Sequence, residues 1–115
     1  MAPDAFEVVR HTGSNPDVHV LTVKGAITYA SSPAFYEAIS SASAPRLIID
    51  LSAVPAVDSM AVGALVRTFV SCHRAGRKLA LVGLNHRVKN VLQITGIDPL
   101  FDTYATLAEA EAALQ

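Results

Sequence analysis

A chain of 115 residues is the size of one ordinary domain and can bury about two-thirds of its unfolded surface. With 51% hydrophobic and 17% charged residues it reads as packed and globular, which excludes a disordered or solvating role. The net charge of -1 argues against a nucleic-acid partner held by bulk electrostatics, and the densest basic group is only Arg74, Arg77 and Lys78.

In chain order, residues 6–11 and 18–24 read as strands separated by Thr12-Gly13-Ser14-Asn15-Pro16-Asp17, a turn composition, so an antiparallel hairpin is predicted. Ser32-Pro33 gives a cap followed by proline at the first helical position. Phe35, Ala38, Ile39 and Ala42 then recur at the spacing of one buried helix face, up to Ala44-Pro45. Residues 46–51 are almost wholly apolar, as in a central strand covered on both faces. A helix from Ser59 to about Ala75 carries an apolar stripe of Ala61, Leu65, Phe69 and Cys72 and is closed by Gly76. Residues 78–82 form a second buried strand. Asn85 caps a third helix in which Val88, Val91, Leu92 and Thr95 share a face, with Gly96 as its stop. Residues 101–104 form either a short edge strand or a loop. Thr106 and Glu109 then make a capping box ahead of a last helix with Ala110 and Leu114 on one side. There is no internal repeat and no linker. The sum is one α/β domain over residues 1–115: a small mixed sheet, built from a hairpin and parallel βαβ strands, flanked by about four helices.

The longest apolar stretches, residues 60–66 and 79–84, are far shorter than the ~20 residues that span a bilayer, so membrane insertion is not expected. The opening residues 1–7 carry neither the basic region nor the apolar run of a secretory leader. A single cysteine, Cys72, cannot form an intrachain disulfide and lies inside a helical pattern as a small core residue. A reducing, cytoplasmic setting is therefore expected. No convergent catalytic set can be assembled, so the chain does not read as an enzyme. His11, His19, His73 and His86 have no metal-like spacing, and Ser59 lacks the flanking glycines of a nucleophile elbow. No cofactor or metal motif is present in the sequence either: there is no Gly-rich phosphate loop and no Walker lysine.

The most informative feature is Asp58-Ser59, between the strand at 46–51 and the long helix. A helix start presents unpaired N–H groups and the positive end of the dipole, which favour Asp, Ser and phosphate. Two readings of Ser59 are open: an N-cap and nothing more, or a phosphoacceptor whose phosphate the helix start would tolerate. Loops at the carboxyl ends of strands are the functional edge of α/β sheets. Ser59, Met60, Val62 and Gly63 on the first turns, with the loop after Gly25 at the rim, would form a partner surface. Met60 could equally be core filler.

These residues, taken together, resemble the STAS domains, and in particular the stand-alone bacterial anti-sigma factor antagonists. The likeness covers nearly the whole chain and rests on Leu21-Thr22-Val23-Lys24-Gly25-Ala26-Ile27, Leu47-Ile48-Ile49-Asp50-Leu51-Ser52, Val57-Asp58-Ser59 with Gly63 and Leu65, Ala75-Gly76-Arg77-Lys78-Leu79, Leu81-Val82-Gly83-Leu84, and Thr95-Gly96-Ile97 with Leu100-Phe101. The resemblance implies that Ser59 is a phosphoacceptor and that Asp58 shapes its loop. It implies a partner that is both an anti-sigma factor and a serine kinase holding its own ATP and magnesium, and a phosphatase that resets the switch. It implies that Thr28, Asp58, Ser59, Met60, Val62 and Gly63 meet that partner. Three positions depart from the family's pattern: Thr28 stands where an acidic residue is common, and Met60 and Ala61 stand where Ser or Thr and then Gly are usual. These departures keep open a scaffold-type STAS protein that is not phosphorylated. The resemblance also allows an accessory STAS subunit of a membrane transporter ATPase, or a nucleotide- or lipid-binding module.

Overall fold

A computed structural model describes residues 6–114. The expectation about a secretory leader therefore falls mostly on residues 1–5, outside the described residues. Five strands, β1 (Glu7–Thr12), β2 (Val18–Lys24), β3 (Arg46–Ala53), β4 (Lys78–Val82) and β5 (Asp102–Tyr104), form one sheet in sequential order. β1 and β2 are the expected antiparallel hairpin, and β2, β3, β4 and β5 run parallel. The helices are α1 (Ser32–Ser41), α2 (Ser59–Arg74), α3 (His86–Ile94) and α4 (Leu107–Ala113), with a 3-10 turn at Asp98–Leu100.

Side chains alternate across a strand, and here both alternations are apolar because both faces are covered. Leu21, Val23, Leu47, Ile49, Leu51 and Leu81 face one way, into a core completed by Phe35 and Ile39 of α1, Ala61 and Leu65 of α2, and Val88 and Leu92 of α3. Val18, Val20, Ile48, Ala80 and Val82 face the other way, under Ala110 and Leu114. Three helices thus share one face, and the short α4 packs over β3, β4 and β5 on the other. Phe35 and Leu65 are fully buried, so truncating either to alanine would cost ~2–5 kcal/mol in transfer and cavity terms.

The helix ends reflect local chemistry. Gly76, at φ 69°, closes α2 in a Schellman turn: Arg77 N–H donates to Cys72 C=O at 2.8 Å and Gly76 N–H to His73 C=O at 3.2 Å. Arg77 then donates from Nε and Nη2 to the carbonyls of Ala44 and Ala42, both at 2.8 Å, tying down the chain that leaves α1. Asn85 and Thr106 cap α3 and α4 as expected, accepting from the N–H groups of Val88 and Glu109.

Several expectations need adjustment. Ser31, not Ser32, precedes the first turn of α1, and its hydroxyl donates to Ala26 C=O at 2.8 Å instead of capping the helix. α1 ends at Ser41, ahead of the Ala44-Pro45 stop. Thr95 is exposed, and its hydroxyl donates back to Val91 C=O at 2.7 Å, so it does not share the buried face of α3. Residues 102–104 do form a strand, parallel to β4.

Candidate functional site

Where the regular pairing of β2 and β3 ends, the two chains stay side by side. Gly25 N–H donates to Ala53 C=O at 3.1 Å, Ile27 N–H to Ala56 C=O at 3.1 Å, and Asp58 N–H to Ile27 C=O at 3.1 Å, around an isolated parallel bridge between Ile27 and Val57. Ile27 and Val57 are buried, which sinks the middle of both loops into the core. Immediately beyond these two residues, Thr28-Tyr29 and Asp58-Ser59 emerge together at the carboxyl edge of the sheet.

Asp58 organises this edge. Its backbone is extended, and Oδ1 accepts from Ala61 N–H at 3.0 Å, the N-cap bond of α2. The other oxygen, Oδ2, accepts from Tyr29 N–H at 2.9 Å in the neighbouring loop. One carboxylate therefore starts the helix and fixes the position of the loop beside it. This corrects the cap-only reading of Ser59: the cap belongs to Asp58, and Ser59 is the first helical residue, exposed. Both residue types cap well, and the sequence alone does not decide between them.

Thr28 is half-buried, and its polar groups are engaged in a local turn. Its N–H donates to Ser31 Oγ at 2.9 Å, its C=O accepts from Ser31 and Ser32 N–H at 3.1 and 2.7 Å, and its Oγ1 accepts from Ala30 N–H at 3.3 Å. The residue that projects from this loop is Tyr29, 74% exposed. Sequence reasoning missed it, because a loop aromatic has no periodicity to mark it.

Along α2 the predicted residues separate. Met60 is 56% exposed and, with Ser59, Gly63 and Arg67, lines a groove of about 390 Å³ whose other wall is Ser32, Pro33 and Tyr36 of α1. A Cβ on Gly63 would meet nothing within 4 Å, so glycine leaves this wall open. The Arg67 guanidinium carbon lies 4.2 Å from the centroid of the Tyr36 ring, a cation–π contact across the two helices. Val62 is half-buried and lies two residues on, about 200° round the helix from Met60, so it faces the opposite flank of α2. Ala61 is fully buried in the core and offers no surface at all. Met60 is thus surface, not core filler. Tyr36 and Arg67 join the site without any signal in the sequence.

Other candidates lie elsewhere. Cys72 is buried, and burial pushes its thiol pKa up, an effect that the nearby Arg77 charge opposes more weakly. Among the described residues no three His, Cys, Asp or Glu side chains gather as a metal site, and no helix is long and apolar enough to cross a membrane.

A five-stranded mixed sheet in sequential order, three helices on one face, and an Asp-capped helix start presenting an exposed serine define a small α/β domain with a loop-and-helix surface at one sheet edge. The chain belongs to the STAS domain family, whose profile matches residues 10–110. It is 36% identical over 70 residues to a Thermotoga neapolitana protein named as a candidate anti-sigma factor antagonist, an alignment covering 61% of this chain and 62% of that protein. The crystal structure of an anti-sigma factor antagonist from Mycobacterium paratuberculosis is 29% identical, with a TM-score of 0.87 over 98% of this chain and 97% of that one. The STAS domain of a SulP transporter from Vibrio cholerae is 25% identical, with a TM-score of 0.71 over 88% of this chain and 83% of that one.

Proposed function

We propose that this protein is an anti-sigma factor antagonist, a binding protein without catalytic activity of its own. Its partner is an anti-sigma factor, and the edge carrying Tyr29, Ser59, Met60 and Gly63 is the surface that meets it. The observation that carries this reading is the position of Ser59: exposed, at the first residue of α2, beside an aspartate that holds both the helix start and the adjoining loop. A hydroxyl so placed is accessible, and a phosphate on it would sit at the positive end of the helix dipole.

The switch is one of charge. The partner is also a serine kinase that brings ATP and magnesium and transfers phosphate to Ser59, adding about -1.5 to -2 charge in the middle of the contact surface. Unphosphorylated protein binds the anti-sigma factor and frees the sigma factor; phosphorylated protein is released until a phosphatase restores the hydroxyl. The similarity to the two antagonists supports this over a transporter role. Thr28 and Asp58 stand at the rim, whereas Val62, on the opposite flank of α2, lies outside this surface.

The test is capture of partners from the native cell on wild-type protein and on the Ser59→Asp variant, with mass spectrometry of Ser59 itself. An ATP-binding anti-sigma factor retained by wild type and lost on the variant, together with phosphate on Ser59, is the expected result. Capture of a transporter ATPase with Ser59 unmodified would overturn the reading in favour of an accessory transporter subunit. Partner capture indifferent to Ser59, with no phosphate found, would instead support a scaffold-type protein.

A further inference from the structure

At the other side of the sheet, β1 is an edge strand six residues long. Glu7, Val9 and His11 point to the same face as α4, which packs over β3, β4 and β5 with Val18 and Val20 of β2 in the same buried cluster, and all three are exposed, Val9 to 44%. Among the described residues no strand pairs with the outer edge of β1, which leaves a row of backbone donors and acceptors available.

Which groups point outward can be read from the ladder. Gly13 N–H donates to Val18 C=O at 2.8 Å, one step beyond the Thr12–His19 pair. Inward and outward groups alternate along an antiparallel strand. His11, Val9 and Glu7 therefore bond to β2, while Val8, Arg10 and Thr12 direct their N–H and C=O groups away from it.

We infer that this edge pairs antiparallel with β1 of a second copy of the chain, about a two-fold axis centred on Val9. In that register Val8 and Arg10 exchange backbone hydrogen bonds with Arg10 and Val8 of the copy, which matches outward groups to outward groups. Val9 meets Val9 at the position where cross-strand side chains approach most closely. Glu7 lies opposite His11, and His11 opposite Glu7, so the carboxylate–imidazole pair is made twice. Neighbouring registers are poorer: centring on Arg10 sets the two arginines face to face, and centring on Val8 puts Glu7 against Val9 and shortens the ladder. Charged residues usually protect an edge strand, but against its own copy this edge sets the Glu7 carboxylate opposite an imidazole and not a like charge. Within one chain Glu7 Oε1 also lies 4.0 Å from Lys24 Nζ, and His11 Nε2 lies 3.3 Å from Thr22 Oγ1. The product is a continuous ten-stranded sheet. This inference stands on a different edge from the Ser59 surface and does not depend on what that surface binds.

Sedimentation equilibrium of the 115-residue chain over a wide concentration range tests it. The expected result is a reversible monomer–dimer equilibrium. His11→Glu replaces both favourable pairs with like charges and should raise the dissociation constant at least about tenfold. Val9→Lys brings two ammonium groups together at the axis and should leave only monomer, while its exposed site spares the fold. The double variant Glu7→Lys with His11→Glu swaps the charges and should recover the dimer. Unchanged thermal melts for Val9→Lys would tie the loss to the interface. A wild-type chain that stays monomeric, a dimer indifferent to Val9→Lys and His11→Glu, or a charge swap that fails to restore association would each overturn the proposal.

Discussion

Asp58 and Tyr29 are joined by a 2.9 Å hydrogen bond from the tyrosine N–H to Oδ2, while Oδ1 of the same carboxylate accepts from Ala61 N–H at 3.0 Å. The helix cap and the loop contact are therefore one device. Asp58→Ala should cost ~1–2 kcal/mol through the lost cap, and a further ~0.5–1.5 kcal/mol for the loop bond. Asp58→Asn keeps an oxygen for Ala61 but turns an NH2 toward the Tyr29 N–H, so it should lose only the second part. Urea unfolding of the two variants measures the difference. Equal losses would mean that the cap carries no stability.

Ser59 is governed by the same geometry. With the cap on Asp58, Ser59→Ala at an exposed first helical position should change stability by no more than ~0.5 kcal/mol. Ser59→Asp adds charge at a helix start, where it is tolerated, so its effect should fall on binding. Calorimetric titration with the anti-sigma factor should show the alanine variant near wild type and the aspartate variant weaker by about tenfold or more, or ~1.4 kcal/mol. An aspartate variant as tight as wild type sinks the switch. An alanine variant as unstable as Asp58→Ala would return the cap to Ser59.

Much of this is legible in the sequence where the signal is local. The hairpin turn, the bounds of β2 and β4, the caps Asn85 and Thr106 and the stops at Gly76 and Gly96 each depend on a few adjacent residues, and each stands as expected. The choice between Asp58 and Ser59 is not legible, since it turns on an N–H 29 residues away in another loop. The contact of Arg67 with Tyr36 is equally hidden. Periodicity shows which stripe of α1 and of α2 is buried, but not how the two helices lie against each other. Ala61, although close to Ser59 in sequence, is legible as core through its place in the apolar stripe with Leu65, Phe69 and Cys72, and it is fully buried there.

Cys72 offers a test in alkali. Its folded-state pKa lies above its ordinary value of 9.0 because burial disfavours the thiolate. Between the unfolded and folded values the native state keeps a proton that the unfolded chain has lost, so unfolding releases it and rising pH favours unfolding. The contribution is complete below 9.0 and is lost as pH rises through the folded value. Urea unfolding of wild type and Cys72→Ala on either side of 9.0 should show a steeper alkaline loss for wild type; other groups titrate alike in both and cancel. Parallel profiles would refute it. Thiol reagents should also label the native protein far more slowly than the unfolded chain.

The last prediction concerns how readily Ser59 accepts phosphate. A kinase must set its γ-phosphate in line with the Ser59 hydroxyl, so the surface around it has to admit the nucleotide and the catalytic loop. Two side chains depart from the family's pattern here, Met60 and Ala61, and their surroundings differ completely. Met60 is 56% exposed beside Ser59 and lines the groove toward α1, where its flexible side chain can obstruct the approach. Ala61 is fully buried, so its methyl group faces the core and cannot meet a kinase. Met60→Ser should therefore speed single-turnover phosphorylation with the cognate kinase at little cost to stability. Ala61→Gly should leave the rate unchanged while destabilising the domain by ~1.5–2 kcal/mol, through helix propensity and a lost buried methyl. A faster rate from Ala61→Gly would mean that backbone freedom at the helix start limits the reaction. No gain from Met60→Ser would show that the kinase accommodates methionine beside Ser59, and the argument from obstruction would fall.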